Sequence, residues 1–87
     1  MSSQINTAND VYQFVDQLKI KLEKRKNLEL VKQLDDALCS GSSGLEILGA
    51  IQNILVENIG AIESAIAPNE LNALNQVISY VNRVYGR

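Results

Sequence analysis

Apolar positions along this chain recur at intervals of three and four residues. Val11, Phe14, Val15, Leu18 and Leu22 mark one face of an α-helix. Ahead of them, Thr7-Ala8-Asn9-Asp10 reads as a capping box, with the Thr7 hydroxyl placed to accept from the amide three residues on. The spacing predicts a first helix over about 8–26, preceded by a polar, frayed segment 1–6. Its last turns gather Lys19, Lys21, Lys24, Arg25 and Lys26, cations that suit the exposed carbonyls of a helix C-terminus.

Asn27 is the expected break and the cap of a second helix, over about 28–39. Leu30, Val31, Leu34 and Leu38 form its apolar stripe, and Leu28 is expected to pack on the end of the first helix. Two glycines among serines, Ser40-Gly41-Ser42-Ser43-Gly44, then punctuate the chain, with Gly41 suited to closing the second helix. Ser43 and Glu46 make a second capping box.

The third segment is apolar around most of its circumference. Leu45, Ile47, Leu48, Ala50, Ile51, Ile54, Leu55 and Val56 do not fit on one stripe, so this helix is expected at the centre of the domain or at an oligomer interface. The phase of Leu48, Ile51, Leu55, Ile59, Ile62 and Ile66 runs on without a slip. It predicts one long helix over about 44–66, with Gly60 as the place for a bend. Pro68 opens the last helix, about 69–85, whose Leu71, Leu74, Ile78, Val81 and Tyr85 repeat three, four, three, four. Gly86 is placed to close it. The expectation is an all-α, small four-helix bundle forming a single domain over 1–87.

Composition narrows the chemistry. Eighty-seven residues with 46% hydrophobic and 21% charged side chains suit one folded domain rather than a disordered chain. Aromatics are only 5%, so the core is expected to be aliphatic and marginal alone, which favours association with a copy or a partner. The single Cys39 excludes an internal disulfide and a multi-cysteine metal site, and is expected as a small apolar filler near a helix end. Histidine is absent, which removes the usual partner of a nucleophile and the Glu-x-x-His pairs of di-metal bundles. Asp35 and Asp36 are adjacent, so they point about 100° apart on a helix and do not converge as a catalytic pair. The expectation is a protein that is not an enzyme and carries no cofactor, metal or evident small-molecule substrate.

The Ser/Gly loop 40–44 is a weak phosphate candidate, because no strand precedes it and no lysine follows its glycines. No basic start or long apolar run marks a signal peptide, and polar residues interrupt the region from Leu45 to Ile66 too often for a bilayer span. A cytoplasmic location without a membrane is therefore expected.

Binding surfaces are the features that remain. Net charge is −2, and between Gln33 and Asn82 there are six acids and no base. Asp35, Asp36, Glu57 and Glu63 would give an acidic field that steers a basic partner. Lys19, Lys21, Lys24, Arg25, Lys26 and Lys32 form the opposite patch, the basis of an alternative as a small nucleic-acid-associated regulatory protein. On the last helix Asn72, Asn75, Gln76, Ser79 and Asn82 stand where Glu and Lys would ordinarily sit, a polar face that is easier to desolvate than a charged one. Ile47, Ile54 and Val56 are the surplus apolar groups of the third helix. Together these point to a protein–protein interaction module that self-associates or masks a basic partner. By analogy of size and charge alone, small bacterial immunity proteins and antitoxins do the latter.

Overall fold

The computed structural model describes residues 5–40 and 43–85, and within them the chain is an all-α domain of five helices. Helix α1 spans Ala8–Lys24, α2 Leu28–Ser40, α3 Gly44–Glu57, α4 Ile59–Ala65 and α5 Leu71–Val84, with a 3₁₀ turn at Pro68–Glu70. Gly41 and Gly86, expected as helix stops, lie outside the described residues.

Local chemistry sets the starts of α1, α2 and α3. The Thr7 hydroxyl accepts from the Asp10 amide at 3.2 Å, while the Asp10 carboxylate accepts from the Thr7 and Asn6 amides at 3.1 and 3.0 Å. Asn27 Oδ1 accepts from the Leu30 amide at 3.4 Å, and the Ser43 hydroxyl accepts from the Glu46 amide at 3.2 Å. Each bond satisfies a donor that the first helical turn leaves without an intrahelical acceptor.

Helix α1 stops at Lys24, two residues before the expected end, because Lys26 turns into the left-handed region at φ 63°. The Lys26 amide then donates to the Glu23 carbonyl at 2.9 Å, and the Asn27 amide to the Leu22 carbonyl at 2.9 Å. This pair of bonds is the Schellman closure, which usually has glycine at the left-handed position.

The long helix expected over 44–66 is two helices, α3 and α4, set at 84° to each other. The break falls at Asn58 (φ −120°, ψ 28°), not at Gly60. Asn58 closes α3 twice over on one acceptor: its amide N–H and its side-chain Nδ2 donate to the Ile54 carbonyl, at 3.1 and 2.9 Å. The turn folds α4 back so that Ile62 is fully buried and α4 packs on α1. After it, the Ala67 amide donates to the Glu70 carboxylate at 2.9 Å, and a single 3₁₀ turn delays the last helix to Leu71.

The core is aliphatic. Val11, Val15, Leu18 and Leu22 of α1 meet Leu30 and Leu34 of α2, Leu48, Ile51 and Leu55 of α3, Ile62 of α4, and Leu74, Val77 and Val81 of α5. Burying each such side chain contributes about 1.5–3 kcal/mol, and no polar or charged side chain among the described residues is buried against them. Helix α3 lies between α2 and α5 and also touches α1 and α4, a central position. The core extends to Ile5, expected as part of a frayed segment: it is buried, and its amide donates to Gln76 Oε1 at 3.0 Å. Two side chains sit further out than their sequence context predicts. Cys39 is exposed rather than a buried filler, and Leu28 is 60% exposed rather than packed on α1.

Candidate partner-binding surfaces

The charges that are segregated along the sequence are partly brought together by the fold. Packing of α1 on α2 pairs Lys19 with Asp35, with Asp16 a further 3.8 Å away from the same ammonium. The hydrogen bond that Lys19 donates to Asp35 holds its ammonium above the ordinary pKa, helped by the charges of Asp35, Asp16 and Cys39 and opposed by partial burial. Lys21 pairs with Glu70 at the 3₁₀ turn. Two members of the basic patch are thus committed within the chain, while Lys24, Arg25, Lys26 and Lys32 stand exposed around the α1–α2 turn. Asp35 is likewise taken up by Lys19, whereas Asp36, Glu57 and Glu63 are exposed.

The uncharged polar face of α5 is divided. Gln76, on one flank, accepts from the Ile5 amide. On the other, Asn82 Oδ1 accepts from Gln52 Nε2 at 2.7 Å, and the same Nε2 lies 3.2 Å from the Ile78 carbonyl. These two residues therefore hold the bundle together. Asn72, Asn75 and Ser79 between them are exposed, and with Ile5, Asn6, Gln76 and Arg83 they line a broad open depression. Arg83 at its end stacks over the Tyr80 ring, 5.9 Å from the centroid.

The apolar surface differs from expectation in its membership. Ile47 and Ile54 are half-buried and pack against the core, because the phase of α3 turns them toward it. Val56 does face out, at 52% exposure. Ile20, Leu28, Leu45, Val84 and Tyr85 are exposed as well, distributed over α1, α2, α3 and the end of α5. Ile20 was readable as off the stripe of α1, since it falls between Leu18 and Leu22. It lines an open groove between α1 and α2 together with Val31, Asp16, Lys19, Glu23 and Asp35.

Gly49 is a residue that sequence reasoning missed. The Tyr85 side chain crosses α3 there, and its hydroxyl donates to the Leu45 carbonyl at 2.5 Å. Tyr85 is thus a surface strap at the end of α5 rather than a member of its buried seam.

Among the described residues no three His, Cys, Asp or Glu side chains are grouped to hold a metal ion, and no single helix is long and apolar enough to cross a membrane. Searches of family models, of curated proteins and of solved structures each find no match to this chain.

Proposed function

We propose that the protein is a small non-enzymatic interaction module that binds a basic protein partner or a second copy of itself. It uses a four-helix plan in which α3 and α4 together serve as the third arm. The observation that carries this reading is the exposed apolar surface. Ile20, Leu28, Leu45, Val56, Val84 and Tyr85 stay 38–60% exposed on a domain whose core otherwise closes. Burial of exposed apolar side chains against a partner is favourable in proportion to the area removed from water, and Tyr85 belongs to the residue types enriched among interface anchors. Val56 adjoins Glu57, and both are exposed, so that end of α3 offers an apolar contact with an acidic rim.

The nucleic-acid reading is the weaker one. Lys19 and Lys21 are engaged by Asp35 and Glu70, which leaves four exposed bases of the patch on a chain of net charge −2. Affinity capture from the source cell tests the proposal. Val56→Ser with Glu57→Lys and Glu63→Lys is expected to lose the partners that the parent retains. An unchanged set of captured proteins, or DNA retention abolished by replacing Lys24, Arg25 and Lys32, would count against it.

A further inference from the structure

The break at Asn58 is one residue long, yet the apolar phase of the chain ignores it. Leu48, Ile51 and Leu55 continue into Ile59, Ile62 and Ile66 at helical spacing. Two independent helices at 84° have no need to share a phase, whereas one straight helix does. The bend is held by the two bonds from Asn58 to the Ile54 carbonyl and by the burial of Ile62, not by the backbone preferences of the hinge. No proline or glycine stands at Asn58, α4 has no side-chain cap at its N-terminus, and seven residues are too few for a helix to persist without packing.

We infer that α3 and α4 straighten into one helix in a second state, and that this state is a dimer in which two copies exchange the segment from Ile59 onward. Straightening removes α4, with its buried Ile62, from its own α1 and leaves that α1 surface bare. A single copy cannot tolerate both exposures. A second copy supplies both surfaces, since its vacated α1 accepts α4 of the first and its α4 covers α1 of the first. The other contacts across the hinge are also remade between copies: Lys21 with Glu70, Gln52 with Asn82, Ile5 with Gln76, and Tyr85 with Leu45. Exchange therefore keeps the packing of the closed form and adds a continuous helix through Asn58, which is the usual economy of segment swapping. The straight helix would run about 33 Å over 22 residues, holding the two exchanged halves apart. This inference concerns how copies assemble, and it stands whether or not the chain also binds a foreign partner.

The test varies the hinge and reads which chain each contact comes from. Asn58→Ala removes the side-chain bond to the Ile54 carbonyl and favours helix at the hinge, and is expected to raise the dimer-to-monomer ratio roughly tenfold in light scattering after size exclusion. Gln52→Cys with Asn82→Cys, in a Cys39→Ser background, places two thiols where the side chains now meet. A short bis-maleimide should then link two chains in the Asn58→Ala dimer but link within one chain in the monomer. Gly60→Ala, a substitution with nothing near to clash, tests the same direction should Asn58→Ala fold poorly. A protein that stays monomeric in both variants overturns the inference, and so does a dimer whose cross-links remain within single chains.

Discussion

Tyr85 rests on Gly49. Any Cβ at position 49 would overlap the Tyr85 hydroxyl and lie 3.1 Å from its Cζ, so the strap from the end of α5 to the Leu45 carbonyl requires glycine in the first half of α3. Glycine inside a helix costs about 1 kcal/mol relative to alanine, so α3 accepts a local loss to seat the ring. Gly49→Ala alone is expected to leave stability nearly unchanged, because the helical gain is offset by displacement of the ring and loss of its hydrogen bond. In a Tyr85→Ala background the same change should stabilise by about 1 kcal/mol. Urea denaturation of the four proteins measures the coupling, and additive effects would show that the strap contributes nothing.

Ile5 extends the core beyond the first helix, and the hydrogen bond that its backbone N–H donates to Gln76 Oε1 fixes the entry of the chain across α5. Ile5→Ala should destabilise by about 2 kcal/mol, the lower end for a buried isoleucine because the site lies at the edge of the core. Ile20→Ala, at 49% exposure, should fall within about 0.5 kcal/mol of the parent. Equal effects in chemical denaturation would place Ile5 outside the cooperative core.

What was legible in the sequence was local. The Thr7, Asn27 and Ser43 caps follow from side chains that reach amides three residues away, and the buried face of α1 follows from spacing, whereas on α5 only Leu74 and Val81 of the expected seam are buried, beside Ala73 and Val77. What was not legible depends on partners distant in sequence. The Asn58 break leaves the apolar phase intact, and only the burial of Ile62 against α1 reveals it. The Lys19–Asp35 pair joins residues 16 apart and dissolves part of the charge segregation once α1 lies on α2. Val56 was legible as surplus apolar surface, but Ile47 and Ile54 were not separable from it until the core had taken them up. Ile5 had no periodic companions in sequence to mark it as buried.

Asp10 links the N-terminal cap to pH. The hydrogen bond from the Asn6 amide lowers its carboxyl below the ordinary 3.8; desolvation opposes it, and the Thr7 amide and hydroxyl add to the lowering. A carboxyl whose folded-state pKa lies below its unfolded value stabilises the fold fully above the unfolded value, and that stabilisation fades as pH falls through the folded one. Melting temperatures of the parent and of Asp10→Asn are expected to differ most above about pH 4 and to converge in more acidic buffer. Parallel curves down to the acid limit would show that the charge at the cap is without effect.

Lys19 has the opposite sign. Its ammonium is raised above 10.5, chiefly by the hydrogen bond to Asp35, so its contribution is complete below that value and is lost as pH rises through the folded-state pKa. Asp35 is about half exposed, so the pair is worth no more than about 1 kcal/mol after solvent screening. Stability profiles of the parent and Asp35→Asn should therefore lie slightly apart at neutral pH and meet as pH rises above about 10.5. A gap that persists in strong alkali would assign the difference to packing rather than to charge.

Lys26 occupies the left-handed position of the α1 closure at φ 63°, where a side chain costs about 1–2 kcal/mol and glycine costs little. Lys26→Gly relieves that strain while keeping both closing bonds, to the Glu23 and Leu22 carbonyls. Part of the gain is given back because glycine also loosens the unfolded chain, which leaves a net stabilisation of about 0.5–1 kcal/mol. Arg25→Gly is the control. Arg25 lies at φ −87° and ψ 2°, a conformation open to any residue, so glycine there brings only added freedom and should destabilise. Urea midpoints that move in opposite directions for the two variants, at equal slope, would establish the left-handed turn in solution. A Lys26→Gly midpoint at or below that of Arg25→Gly would mean that α1 runs straight on through Lys26.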